Sequence, residues 1–277
     1  MPLRIGDNVY RLCGIDTNVI SEVVKRPRDV LPALLDRVGP AKHLLCLSPY
    51  SLFELRRRPD VYEKFLDLFD VWPCALLKNE EQLFEDEWAA YPNADIADPT
   101  IFGFSALNRR RGTNLRNLSG IVFDLPDVAK REQEWPNLQR DLLHDWMVLR
   151  SNFPPKGRFY QLQDASRFMR EATRQHVALR APDWAQRLRR DGSPLKPAAF
   201  PSVMMTLLTV FLRIYEPRGR RPEPQDVFDV LISTPTPYLD VVVTERMQAE
   251  ILSKAKRVFQ PIRALEVFTL RNLRDPL

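Results

Sequence analysis

The chain has 277 residues, of which 44% are hydrophobic and 28% are charged. This hydrophobic content suffices for a sizeable core in one large or two small domains, and it excludes a disordered chain. The formal net charge of +5 is a mild bias towards polyanionic partners such as nucleic acids. Only 9 glycines are present, and no Gly-rich phosphate loop ends in Gly-Lys-Ser/Thr, which disfavours a nucleotide-binding protein.

The three cysteines, Cys13, Cys46 and Cys74, each lie in an apolar run typical of a buried strand. Their odd number and the absence of a CxxC pair predict free thiols in a reducing compartment, and therefore a cytoplasmic protein. The N-terminus shows no apolar targeting stretch. The longest apolar segment, 203–215, is too short to span a bilayer, so we expect no membrane association. The three scattered histidines disfavour a zinc site.

Strand and helix patterns alternate in the first third of the chain and again at its end. Strands are expected at 11–16, 43–48, 71–77, 238–244 and 265–270. Helices are expected from Thr17, from Pro49, and at 29–38, 61–69, 80–90, 226–232 and 246–257. Between these two parts strand signals are few, and helical periodicity marks 131–150, 163–180 and 202–215.

This alternation predicts an α/β fold in which helices cover both faces of a parallel sheet. Because the sheet pattern resumes late in the chain, we expect residues 1–94 and 221–277 to form one α/β domain. Residues 95–220 are then a mainly helical insertion.

Carboxylates lie at or near the ends of the predicted strands. Asp16 follows the first strand, at the place where open α/β sheets bind their ligands. Four further acids occupy comparable places: Glu54, Asp229, Asp240 and Glu245. A carboxylate within an apolar strand, as expected for Asp240, is costly unless it is paired or metal-bound. Oxygen ligands without a His or Cys cluster suit hard cations, so we expect a Mg²⁺ or Mn²⁺ site.

Three segments resemble the motifs of PIN-domain nucleases, and they follow one another in the family's order. The first is 16–22 (DTNVISE) and the second is 48–54 (SPYSLFE). The third, 226–245, has a helical Asp before a strand that leads into a polar pair. This pair is Thr244-Glu245, where many PIN proteins have Thr-Asp. The resemblance covers roughly 11–90 and 222–270, and the insertion has no recognised counterpart.

The resemblance implies a compact three-layer α/β/α fold, one or two Mg²⁺ or Mn²⁺ ions, and hydrolysis of single-stranded RNA by a metal-activated water. It implies a catalytic set of four acids: Asp16, Glu54, Asp229 and Asp240. The implied metal ligands are the same four and Glu245. The implied supporting residues are Thr17, Asn18, Asp226 and Thr244. A toxin with an antitoxin partner, an RNA-processing enzyme and a homodimer all fit the family, although the chain is long for a minimal toxin.

Several of these residues have a second interpretation from the sequence alone. Asp16 is also placed to cap the following helix. Asp226 comes near a predicted helix start and competes with Asp229 as cap or ligand. Thr17 and Asn18 are either turn residues or groups that orient Asp16. Glu22 is better explained as a surface charge on the first helix.

Clustered arginines are the expected contacts to the RNA backbone. Those of the insertion are Arg109, Arg110, Arg111, Arg189 and Arg190. For each cluster taken alone, a solvated helix face or end is the better explanation, but four arginine clusters together favour a surface for a phosphate backbone.

Two other functions remain open at this stage. A degenerate PIN-like module that binds RNA or protein without catalysis is suggested by Glu245 in place of Asp and by the insertion. A phosphatase of the haloacid dehalogenase type also begins with an Asp at a strand end. It requires a second Asp two residues later, where this chain has Asn18.

Overall fold

The computed structural model describes residues 3–5, 7–91, 100–105, 115–152, 161–190, 192, 195–215 and 221–274. Its strands are β1 Leu3–Ile5, β2 Asn8–Ile15, β3 His43–Leu47, β4 Pro73–Leu77, β5 Thr100–Ser105, β6 Val241–Thr244 and β7 Glu266–Thr269. The first helices are α1 Thr17–Lys25, α2 Pro27–Val38, α3 Pro49–Arg56, α4 Pro59–Leu68 and α5 Glu80–Ala90. The later ones are α6 Leu115–Asp124, α7 Pro126–Asn152, α8 Leu162–Arg180, α9 Pro182–Arg190, α10 Pro201–Tyr215, α11 Pro224–Ser233, α12 Arg246–Val258 and α13 Leu270–Arg274.

The sheet has the strand order β5-β4-β3-β2-β6-β7. The pairs β2–β3, β3–β4, β2–β6 and β6–β7 are parallel, and β5 joins the edge strand β4 in the antiparallel direction. The short β1 pairs antiparallel with the start of β2. The chain thus runs outwards from β2 in one direction and returns to β6 on the other side of β2. This makes the boundary between β2 and β6 the topological switch point, where open sheets bind ligands.

Helices pack on both faces of the sheet, as predicted for an α/β fold. Alternate residues of β2 point to opposite faces: Cys13 and Ile15 join a core with α1, α2 and α4, whereas Tyr10 and Leu12 join a core with α7, α8, α10, α11 and α12. Strands buried on both faces explain why they read as continuous apolar runs.

Helices α7, α8 and α10 of the predicted insertion share a core with the sheet. The Trp135 ring of α7 lies 4.3 Å from that of Phe228 and 5.0 Å from that of Tyr50, measured between ring centroids. In α10, 12 of the 15 residues are buried. The predicted domain boundaries at 94/95 and 220/221 fall within or beside segments outside the described residues, and they stay predictions.

Two details differ from the sequence prediction. Strand β5 was not expected, because residues 95–220 carry few strand signals. Strand β6 begins only at Val241, since residues Thr236–Tyr238 form a 3₁₀ turn before it. In the part of the chain that the structure describes, no helix combines the length and the apolar character needed to cross a membrane.

Candidate active site

Asp16 lies at the switch point, at the end of β2 and before α1. Its carboxylate accepts hydrogen bonds from the Asn18 backbone nitrogen at 3.2 Å and from the Thr244 hydroxyl at 2.6 Å. Its backbone nitrogen donates to the Val243 carbonyl oxygen at 2.9 Å. Asp16 therefore caps α1, and its second oxygen is held by the last residue of β6. Only 8% of the residue is exposed.

Glu245 follows β6 and lies at the same edge of the sheet as Asp16. The Asn18 side-chain amide donates to the Glu245 carboxylate at 3.4 Å. Because Thr244 binds Asp16 and Asn18 binds Glu245, two polar bridges join the ends of the neighbouring strands β2 and β6. The predicted supporting roles of Asn18 and Thr244 agree with these contacts.

Glu54 approaches Asp16 from helix α3. That helix begins as predicted, with Ser48 as its N-cap and Pro49 as its first residue. Burial raises the pKa of the Glu54 carboxyl, and the charge of Asp16 raises it further, against the opposing effects of Thr17, Arg57 and Arg58. The effect of Asp16 on the pKa of Glu54 places the two carboxyl groups within electrostatic range of one another.

Asp226 and Asp229 both bind one buried guanidinium, which belongs to Arg213 of helix α10. Arg213 donates to Asp226 at 2.6 Å and lies 2.9 Å from Asp229. It also donates to the Gln248 side-chain oxygen at 2.6 Å. The side chains of Arg213 and Asp226 are each 4% exposed, and that of Asp229 is 20% exposed. Asp226 also accepts from the Glu223 backbone nitrogen at 2.7 Å, so its predicted capping role is present.

Burial raises the pKa of Asp229 to about 7 in spite of the guanidinium. Arg213 lowers this pKa, whereas Asp16, Glu245 and Asp226 raise it. An acid that feels three other acids lies in a concentrated negative field, and such fields are common at functional sites. A cation bound near Asp229 would lower the pKa and favour the ionised form.

Asp240 is not brought to this group of acids. It precedes β6, and its carboxylate accepts from the Leu12 backbone nitrogen at 2.9 Å. Since a strand rises about 3.3 Å per residue, Asp240 lies roughly 13 Å from Thr244 along the strand direction. The expectation that Asp240 is a buried acid inside the strand is therefore corrected: it extends the pairing of β6 with β2 from the opposite end.

A small cavity of about 40 Å³ opens beside Asp16 and Asp229. Its lining includes Ser51 and Gln248. The Ser51 hydroxyl and the Gln248 side-chain nitrogen are buried, and neither has a hydrogen-bond partner among the described residues. Unpaired buried polar atoms are uncommon in folded proteins, and they indicate groups available to water or a ligand. The volume holds a few water molecules.

The donors around this cavity are carboxylate and hydroxyl oxygens, which suit Mg²⁺ or Mn²⁺. Within the described ranges, however, no three His, Cys, Asp or Glu side chains lie close enough together to hold one ion. Several acids lie near Asp16 without forming one compact cluster. Arg213 already compensates the charge of one of them, Asp229. Any bound metal would need water ligands to complete its coordination, as is usual for Mg²⁺.

Three residues of the site were not predicted from the sequence: Arg213, Gln248 and Ser51. The signal for Arg213 was present, because it is the single charge in the apolar run 203–215. Buried arginines are rare unless paired, so this residue predicts a buried acid. Gln248 and Ser51 carry no comparable signal.

The other predicted residues lie elsewhere. Glu22 pairs with Arg26 and with Lys25 on the surface of α1. Arg189 and Arg190 belong to the last turn of α9, where the Arg190 side chain is exposed. Residues 109–111 lie outside the described residues, so the predicted RNA contact through these arginines stays a prediction.

Comparison of the chain with family models, with curated proteins and with solved structures finds no match. The resemblance to PIN-domain nucleases therefore depends on the three sequence motifs alone.

Proposed function

We propose that this protein is a Mg²⁺- or Mn²⁺-dependent ribonuclease of the PIN type that hydrolyses single-stranded RNA. One observation carries the proposal. Acids from all three motifs meet around Asp16 at the switch point of a parallel sheet: Glu54 and Asp229 each lie within electrostatic range of Asp16, and Asp229 also lies within range of Glu245. Acids collected at such a point cost stability, and binding of a divalent cation by them would offset that cost.

The residues present fit the chemistry of such a cation. Asp16, Asp229 and Glu245 offer carboxylate oxygens, and Ser51 offers a buried hydroxyl without a partner among the described residues. A divalent cation held by at most two of these carboxylates, with water completing its coordination, would orient a phosphodiester, lower the pKa of a water and offset negative charge on the leaving oxygen.

The chain's own residues prepare the site before any ligand binds. The Thr244 hydroxyl and the Asn18 backbone nitrogen each donate to one oxygen of the Asp16 carboxylate, so the fold sets the orientation of this carboxylate. The Asn18 side chain orients Glu245. Fixed donors of this kind reduce the reorganisation that the site must undergo on binding.

Arg213 supplies a permanent positive charge next to Asp226 and Asp229. With several acids in one field, a buried guanidinium reduces their mutual repulsion and lets the site fold without a metal. In this proposal Arg213 is a positioning residue, because it holds Asp229 through a 2.9 Å contact. The helix that carries it lies in the predicted insertion, which makes that segment part of the site.

A second function, a non-catalytic RNA-binding module with a PIN-like core, is favoured by the same arginine. Arg213 already forms an ion pair with Asp229. Among the described residues, no three acids lie close enough together to bind the same ion. A module of this kind would keep the fold and bind RNA without hydrolysis.

Cleavage of a panel of single-stranded RNAs with Mn²⁺, Mg²⁺ or EDTA separates the two functions. The decisive variant is Asp16→Asn, since Asn caps helices as well as Asp and should preserve α1. Its matched control is Asp145→Asn, an exposed acid on α7. We expect metal-dependent cleavage by the wild type and the control, and its loss in Asp16→Asn. Equal cleavage by all three proteins would refute the assignment, and RNA binding without any cleavage would favour the module.

A further inference from the structure

A groove lies on the surface between helix α12 and residues 269–272 at the end of β7 and the start of α13. It has a volume of about 830 Å³. Glu245, one of the acids of the site, lines it. The groove therefore meets the site at Glu245.

Basic side chains dominate this groove. Arg246, Lys254, Arg257 and Arg271 line it, against the two acids Glu245 and Glu250. Arg246 forms a 2.9 Å ion pair with Glu250 on the surface, where such pairs are weak. We call the surface formed by Arg246, Lys254, Arg257 and Arg271 the basic groove.

The basic residues follow one face of α12. Residues 246, 254 and 257 are spaced by eight and three positions, which places them on one side of an α-helix. The opposite side is buried and includes Ile251, Leu252 and Ala255. The stripe is about 16 Å long at a rise of about 1.5 Å per residue, and the exposed Arg271 faces it from the second wall. A stripe of this length suits a chain of phosphates better than one small anion.

We propose that the basic groove binds the phosphate backbone of the single-stranded RNA and leads it to Asp16 and Glu245. The inference rests on the proposed function for the identity of the ligand, and it adds the path of the strand. Charge complementarity and continuity with the site support this path: a polyanion held by the groove is brought to acids that would otherwise repel it. The path differs from the one predicted through the arginines of the insertion.

The test is RNA binding by a triple variant, Lys254→Gln, Arg257→Gln and Arg271→Gln. The control is Arg28→Gln, Lys64→Gln and Arg263→Gln, which removes the same number of charges from exposed positions outside the groove. Both are made in the Asp16→Asn background and measured in EDTA, so that cleavage does not interfere. The probe is a fluorescent single-stranded RNA titrated at several salt concentrations. Melting temperatures check that both variants fold.

We expect the groove variant to bind roughly tenfold more weakly or worse at low salt, with a salt slope reduced by about 2, since each phosphate contact on a single strand contributes about 0.7. The control should bind like the parent protein. Equal affinity of the groove variant and the control would overturn the proposal, and so would the absence of RNA binding by the parent.

The cleavage assay separates this inference from the proposed function. If the wild type shows metal-dependent cleavage but its RNA affinity does not depend on the groove residues, RNA binding in the basic groove is refuted and the ribonuclease proposal stands. Groove-dependent affinity without cleavage by the wild type supports the groove and refutes the nuclease.

Discussion

Helix α10 is fixed at its two ends by buried acids, but in different ways. Near its start the Glu87 carboxylate of α5 accepts from the Ser202 backbone nitrogen at 2.7 Å and from the Tyr238 hydroxyl at 2.6 Å. Near its other end Arg213 binds Asp226 and Asp229. At the first end the acid accepts hydrogen bonds from neutral donors, whereas at the second end the acids are paired with a positively charged guanidinium.

The difference shows where negative charge is concentrated in this fold. A single acid at the start of α10 can be held by neutral donors and the helix dipole, although burial raises the pKa of Glu87 to about 7. At the other end several acids act on one another, and the pKa of Asp229 also reaches about 7 even beside a guanidinium. A cation is required where acids accumulate, and Arg213 supplies it here.

Removal of the guanidinium should produce the largest effect. Arg213→Met leaves Asp226 and Asp229 buried without a countercharge, so we expect the free energy of unfolding to fall by roughly 3–5 kcal/mol. Urea denaturation at neutral pH measures this loss. Arg246→Met is the control, because its ion pair is exposed and should contribute less than about 1 kcal/mol.

A second variant should rescue the stability that Arg213→Met loses. Arg213→Met combined with Asp226→Asn and Asp229→Asn should recover part of the lost stability, because the uncompensated charges are gone. A loss below about 1 kcal/mol in Arg213→Met alone would contradict the role of this residue as the required countercharge.

The contact at the start of α10, where Glu87 accepts from neutral donors, should make the free energy of unfolding depend on pH. The pKa of Glu87 in the folded protein is raised from 4.5 to about 7, so its contribution to stability is present below about pH 4.5 and is lost as the pH rises through 7. Glu87→Gln removes this loss. At pH 8 the variant should be more stable by up to about 3 kcal/mol, since one pKa unit corresponds to about 1.4 kcal/mol.

Denaturation at pH 5 and pH 8 checks this expectation. At pH 5 the variant and the wild type should agree within about 1 kcal/mol, because folded Glu87 is then protonated. Glu85→Gln, an exposed acid of the same helix, should show no such pH dependence. A difference that does not change between the two pH values would contradict a raised pKa at Glu87.

The two ends of α10 also show what the sequence could predict. Apolar periodicity is a local property, so the alternation of strands and helices and the position of Asp16 after β2 were predictable. The partners of Glu87 lie 115 and 151 positions away in the chain, and those of Arg213 lie between 13 and 35 positions away. Such pairs depend on tertiary packing, and only the isolated charge within the apolar run of α10 signals one of them.

Strand β6 illustrates the same limit over a few residues. The run 238–244 was predicted as one strand with Asp240 inside it. The 3₁₀ turn at Thr236–Tyr238 delays the strand to Val241, so that Asp240 precedes it. Local turn geometry is poorly specified by an apolar β-branched run, so the start of β6 could not be predicted.

The acids at the two ends of β6 extend the comparison to smaller effects. At the site end the Thr244 hydroxyl donates to Asp16 at 2.6 Å. Thr244→Val removes this bond to a charged acceptor and should cost roughly 1.5–3 kcal/mol of unfolding free energy. It should also weaken Mn²⁺ binding measured by calorimetry, because Asp16 loses its fixed orientation. Thr244→Ser keeps the hydroxyl and should restore both properties; failure of Ser to do so would indicate that the methyl group matters instead.

At the opposite end Asp240 should show the smallest effect. Its carboxylate accepts from the Leu12 backbone nitrogen at 2.9 Å, and Asn offers the same acceptor. We therefore expect Asp240→Asn to change the unfolding free energy by less than about 1 kcal/mol and to leave Mn²⁺ affinity unchanged. Asp16→Asn, which also exchanges an acid for its amide beside the same strand pair, should reduce that affinity strongly. If Asp240→Asn weakens Mn²⁺ binding as much as Asp16→Asn does, both ends of β6 contribute to the metal site, and the distinction between a structural and a ligand acid is lost.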